Sequence, residues 1–160
     1  MKSAYIVSGL RTAVGKAKKG GFRFVRPDDL AANVIKSLVK KTKGLEGIMV
    51  DDLIVGNAVP EAEQGMQMAR YISLLSLPKE VPGLVINRYC GSGLEAIHLA
   101  CAKINAGSAE CVIAGGTESM SMVPMTGYKS ALNYNISVNN PDYYLNMGLT
   151  AEKLAKKYDI

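Results

Sequence analysis

Between Leu94 and Ile104 only Glu95, His98 and Lys103 are polar. A helix that is apolar on nearly every side has to be covered on most of them. Immediately upstream, Gly83-Leu84-Val85-Ile86 reads as a short buried strand. A strand running almost directly into a buried helix restricts the chain to a layered α/β architecture, with other elements packed around the helix from about Gly91 to Asn105.

The flanking sequence repeats this alternation. Ala4–Ser8 reads as a first strand, followed by a loop rich in glycine and lysine. Pro27-Asp28-Asp29 then supplies a helix start, with Leu30, Val34, Ile35 and Leu38 at helical spacing and Gly44 closing the helix. Asp52-Leu53-Ile54-Val55 is a short buried strand entering the Gly56-Asn57 loop. Met66 to Leu75 reads as a helix broken by Pro78 and Pro82, and Cys111–Ala114 is a fourth strand ending at Gly115-Gly116. From Gly127 to Asn146 the chain is polar and irregular; Thr150 then looks like the N-cap of a helix through Tyr158. Repeated βα units favour a mostly parallel central sheet.

Cys90 lies at the junction of that strand and helix, in Asn87-Arg88-Tyr89-Cys90-Gly91-Ser92-Gly93-Leu94. A thiol at a helix N-terminus faces free N–H groups and the positive end of the macrodipole, which favour the thiolate. Gly91, Ser92 and Gly93 leave room for a substrate beside the sulfur, so the segment reads as an activated nucleophile for an acyl group. Two other readings stand beside it. Free cysteines are most often small buried hydrophobes. Gly91-x-Gly93-x-x-Ala96 after a strand also matches a dinucleotide fingerprint, with Glu118 as an acidic residue after the next strand. Against the fingerprint, the match falls in the third βα unit and a cysteine precedes its first glycine. His98, the only histidine, lies two turns beyond Cys90, roughly 12 Å at the helical rise, too far to serve as its base.

Composition excludes several classes. The chain has 160 residues, 48% hydrophobic and 21% charged, a globular balance and not a disordered one. No apolar run reaches the ~20 residues of a membrane span, and Met1-Lys2-Ser3 leads straight into the first strand without room for a signal peptide. The three cysteines, at positions 90, 101 and 111, have neither zinc-ligand nor Cys-x-x-Cys spacing and read as reduced thiols of a cytoplasmic protein. The charge of +5 comes with lysines in loops and late in a helix, where solvation and the dipole account for them; no nucleic-acid motif accompanies it.

The segment from Val85 to Ala96 resembles the nucleophile signature of the thiolases: an Asn-Arg pair, a variable residue, cysteine, two small residues and a Gly-Leu-x-Ala run. Arg11-Thr12 with Gly15 and Gly20-Gly21-Phe22, Gly56-Asn57-Ala58, Glu63 to Arg70, Ala114 to Ser121 and Met147 to Glu152 are similar to further family segments, in the same order along nearly the whole chain. The resemblance implies a thiolase-like N-terminal half over 1–120, lacking its final strand, and the start of an inserted loop domain over 121–160. Truncation before a C-terminal half is therefore expected.

What the resemblance implies about chemistry is acyl transfer between a 3-ketoacyl-CoA and coenzyme A through a Cys90 thioester. The Cys90 N–H would be an oxyanion donor, and Met147 a contact to the pantetheine arm. Coenzyme A is then a substrate, and no metal or redox cofactor is required. The family's activating histidine and second cysteine lie in the absent half, so this chain alone is expected to be inactive. Glu63-Gln64-Gly65 and Val123-Pro124-Met125 lean towards the fatty-acid-oxidising branch, while the Gly-Ser-Gly after Cys90 is shared with biosynthetic acetoacetyl-CoA enzymes. Asn146 stands where some biosynthetic members have histidine. Ketosynthases, with Asp-Thr before the nucleophile, fit less well. A homodimer or homotetramer is expected of a complete enzyme. A dinucleotide-binding module and a non-catalytic dimerisation module remain as alternatives of other classes.

Overall fold

A computed structural model describes residues 3–160. It divides into two compact units, one up to Tyr128 and one from Lys129 to Ile160. The first extends eight residues past the expected boundary at 120 because the 121–128 segment is tied back to it. The Glu61 carboxylate accepts the Tyr128 N–H at 2.6 Å, and the Tyr128 hydroxyl donates to the Met122 carbonyl at 2.5 Å. Val123 is fully buried.

The first unit is built on α1 (Pro27–Lys41), β1 (Asp52–Gly56), α2 (Met68–Ser76), β2 (Gly83–Ile86), α3 (Ser92–Asn105) and β3 (Val112–Gly116). The sheet is parallel throughout, in the order β2-β1-β3. Its central strand is buried along its whole length. Alternation of side chains along β1 divides the core. Leu53 and Val55 pack with Ala32 and Ile35 of α1 and with Met68, Ala69 and Ile72 of α2. Ile54 faces the opposite way, onto Ala96 and Ala100 of α3. The result is a three-layer α/β/α arrangement.

Local chemistry sets the helix ends. Proline opens α1, Asp28 and Asp29 occupy its first turn and Lys40 and Lys41 its last, all suited to the dipole. Asp28 also receives Arg26 in a forked ion pair and the Asp29 N–H. The α1 helix ends at Thr42, whose N–H and hydroxyl both reach the Leu38 carbonyl. Gly44 then takes the positive φ (79°) of the following turn. The α2 helix begins at Met68, two residues after the expected Met66, because Met66 and Gln67 both hold left-handed backbone (φ 51° and 56°).

Two further expectations differ in the first unit. Ala4–Ser8 is not a strand; residues 4–16 have no regular structure, and Tyr5, Ile6 and Val7 are about 80% exposed. A strand exists only where a partner supplies its hydrogen bonds, and β3 is paired on one side alone, with β1. A cavity of about 1120 Å³ runs between the 4–17 segment and β3, walled by Val34 and Leu38 of α1 and by Ile97 and Ile104 of α3. The second difference is in α3, which buries one narrow stripe, Ser92, Ala96 and Ala100, instead of being enclosed. Leu94 is 74% exposed and Ile97 also open, since no element of the unit covers that side.

In the second unit, Asn133 caps α4 (Tyr134–Asn139) by accepting the Ile136 N–H, a helix inside the stretch read as irregular. Asn146 caps α5 (Met147–Tyr158) through the Leu149 N–H at 2.8 Å. Thr150 is thus inside the helix and not its cap: its hydroxyl bonds back to the Asn146 carbonyl. Asparagine ranks above threonine as a cap, and it lies one turn earlier.

Candidate active site

The strand-to-helix connection after β2 is held by side chains reading its own backbone. The Asn87 amide donates to the Ala58 carbonyl at 2.9 Å while its oxygen accepts the Tyr89 N–H at 2.8 Å. The buried Ser92 hydroxyl accepts the Arg88 N–H at 2.8 Å and donates to the Tyr89 carbonyl at 2.6 Å. Backbone bonds from Gly91 N–H to the Arg88 carbonyl and from Ser92 N–H to the Tyr89 carbonyl complete the turn. Tyr89 sits in the left-handed region, φ 46°, a conformation a non-glycine residue keeps only where its surroundings fix it. Cys90 emerges from this turn exposed, with Gly91 as the N-cap residue of α3. No side chain caps that helix end.

The helix start is fixed from below by glycine. A β-carbon on Gly56, at the end of β1, would overlap the Ser92 backbone carbon and the Gly93 nitrogen. Gly116, at the end of β3, lies against Gly56 and Gly93. Only bare backbone lets the sheet approach the helix this closely. At the other end of α3, Lys103 pairs with the buried Asp52 at the start of β1. One strand therefore anchors α3 at both ends.

A second network ties together the loops leaving the carboxyl ends of β1 and β3. Glu118 accepts the Ala58 N–H at 2.7 Å and the Gln64 amide at 2.5 Å. Gln64, fully buried, also donates to the Val59 carbonyl and accepts the Ser119 N–H. Asn57 donates to the Thr117 carbonyl at 2.9 Å. Glu118 is thus a brace between loops, with both oxygens engaged. Of the two fingerprint glycines, Gly93 packs against the ends of β1 and β3, while Gly91 meets only Arg88.

The remaining candidates of the first unit lie farther along α3 and just before β3. His98 points into solvent two turns along α3. Cys101 and Cys111 are half-buried. Burial, followed by the Asp51 charge, pushes the Cys111 thiol above its ordinary value, which suits a packing residue and not a nucleophile. Met147 opens α5 in the second unit with its side chain 65% exposed. Among the described residues no group of three His, Cys, Asp or Glu could hold a metal, and no helix is long and apolar enough to cross a membrane. Sequence reasoning quoted Asn87, Gly56 and Gln64 without a role and gave Ser92 only smallness. The usable signals were asparagine two residues before the turn residue and serine four residues after the Arg88 N–H, both spacings of local side-chain-to-backbone bonds.

Comparison with known proteins agrees with this geometry. The family model "Thiolase, N-terminal domain" matches residues 4–160. A 3-ketoacyl-CoA thiolase of Bacillus subtilis (strain 168) is 53% identical over 161 residues, spanning all of this chain and 41% of that protein. A 3-ketoacyl-CoA thiolase of Colwellia psychrerythraea is 39% identical over the whole chain and 42% of its own length. The 3-ketoacyl-CoA thiolase FadA of Escherichia coli (strain K12) is 38% identical, again over the whole chain and 41% of its length. The chain spans about two fifths of these relatives, and it belongs to the thiolase family, whose N-terminal domain it represents.

Proposed function

We propose that the complete protein is a 3-ketoacyl-CoA thiolase of the fatty-acid-oxidising type in which Cys90 is the nucleophile. The observation that carries this is the exposed Cys90 at the uncapped start of α3, on a turn held by Asn87 and Ser92. The Cys90 thiolate adds to the 3-keto carbon, and the bond between C2 and C3 breaks. The departing acetyl-CoA enolate takes a proton, leaving an acyl thioester on Cys90. The thiolate of a second coenzyme A then adds to the thioester carbonyl and expels the Cys90 thiolate, so both steps are ordinary acyl transfers. The Cys90 N–H stabilises the negative oxygen of each addition.

Acyl-CoA and coenzyme A are substrates, and the chemistry calls on no metal or redox cofactor. Met147, an exposed apolar side chain, is the contact we assign to the pantetheine arm. The complete enzyme is a homodimer or homotetramer of the cytoplasm; the open Leu94 and Ile97 of α3 and the three free thiols support that reading. Names of the relatives favour the degradative branch over acetoacetyl-CoA synthesis. The resemblance to the thiolases implies that a histidine of the C-terminal half activates Cys90; His98, exposed two turns along α3, is not assigned that role.

The test is thiolysis of acetoacetyl-CoA and of a longer 3-ketoacyl-CoA by the chain completed with the C-terminal remainder of the Bacillus subtilis relative. Turnover on both, abolished by Cys90→Ala, is the expected result. Turnover surviving Cys90→Ala contradicts the assignment. The 160-residue chain alone is expected to show negligible turnover.

A further inference from the structure

We propose that Ser92 is a positioning residue for acyl transfer, its hydroxyl fixing the Tyr89–Cys90 peptide so that the Cys90 N–H faces the oxyanion. The inference rests on the thiolase reading above and assigns a role within the same site.

The Tyr89 carbonyl accepts two hydrogen bonds from one residue, from the Ser92 hydroxyl at 2.6 Å and from the Ser92 N–H at 3.0 Å. That carbonyl and the Cys90 N–H belong to one planar peptide unit, and no peptide among the described residues is cis. In a trans unit the C=O and N–H point in opposite directions. Turning the Tyr89 carbonyl towards the first turn of α3 therefore turns the Cys90 N–H away from it, to the side from which a carbonyl oxygen approaches.

The hydroxyl is fully committed to this task. It accepts from the Arg88 N–H and donates to the Tyr89 carbonyl, so it bridges the Asn87–Arg88 and Tyr89–Cys90 peptides. Tyr89, at φ 46°, is in the region that a side chain with a β-carbon avoids unless held. Ser92 is 4% exposed, and Gly56 presses against its backbone, so the hydroxyl acts from an immobile base. Without it, the turn keeps the two Asn87 bonds and the Arg88–Glu95 ion pair, none of which reaches the Tyr89 carbonyl. The Cys90 sulfur would persist while the direction of its N–H relaxed.

That separation gives the test. In the completed enzyme, Ser92→Ala and Ser92→Thr are compared with the parent for acyl transfer and for alkylation of Cys90 by iodoacetamide. Alkylation occurs at a saturated carbon and develops no oxyanion. Ser92→Ala is expected to slow acylation by ~10²–10³-fold, with kcat falling and KM held, while alkylation changes less than about threefold. Ser92→Thr, which keeps the hydroxyl, restores acylation to within about tenfold of the parent. If Ser92→Ala does not fold, Ser92→Cys, similar in size and a weak hydrogen-bond donor, is read in the same way. Acylation by Ser92→Ala at the parent rate overturns the proposal, as does an equal fall of acylation and alkylation without rescue by threonine. A parent that forms no Cys90 thioester overturns the thiolase reading itself, so the two failures are distinguishable.

Discussion

Gly56 and Asp51 illustrate what single residues contribute, Gly56 at the Cys90 turn and Asp51 at the opposite end of the sheet. Gly56→Ala would drive a methyl group into the Ser92 backbone, which cannot yield as a flexible side chain can. It is expected to cost about 1–3 kcal/mol of stability, read by urea unfolding, and to displace the Cys90 turn. A stability unchanged by this substitution would show that α3 is free to retreat from β1. Asp51 accepts the Glu110 N–H at 2.6 Å and the Cys111 N–H at 3.0 Å, and these two bonds lower its carboxyl below the ordinary value against a smaller opposing effect of burial. A lowered folded-state value contributes stability above the unfolded carboxyl range, near pH 4, that disappears as pH falls through the folded value. The gap in thermal midpoint between the parent and Asp51→Ala should hold from neutral pH to about 4 and close below it. A gap that widens in acid would contradict this account of Asp51.

At the scale of elements, β1 does most of the organising, because it packs helices on both faces and holds both ends of α3. Ile54, its apolar side chain directed at α3, is fully buried against Ala96 and Ala100. Ile54→Ala should destabilise the first unit by about 2–5 kcal/mol in denaturant titration. A loss below about 1 kcal/mol would mean that the helix collapses onto the vacated space. Strands β1, β2 and β3 and helices α1 and α3 were legible in the sequence, since buried apolar runs and helical spacing are local signals. The end of α5 nearest Met147 was misread because Asn146 and Thr150 both suit a cap and spacing alone does not choose. Met66 and Gln67 gave no sign of their left-handed backbone, since neither is a residue type enriched in that region. The position of Cys90 at the junction of strand and helix was legible, whereas the bonds that hold its turn depend on Asn87, Ser92 and Gly56. Strand Ala4–Ser8 has a strand's sequence but no neighbour, and pairing is a property of two segments.

For the whole molecule, the open side of the first unit is the dominant fact. Residues 4–16 lie along a cavity with no ladder to protect them, while β1 is enclosed. Amide exchange should therefore be fast throughout 4–16 and slowest at Leu53, Ile54 and Val55. Protection of 4–8 comparable to β1 in the isolated chain would show that the segment pairs in solution. With that side open, the first unit still holds the Cys90 turn through Asn87 and Ser92. The most direct test of Cys90 is acid-quenched peptide mass spectrometry of the completed enzyme mixed with acetoacetyl-CoA. An acetyl group confined to the peptide containing Cys90 is the predicted result; full turnover with no acetyl group on Cys90, or one on Cys101 or Cys111, would contradict it.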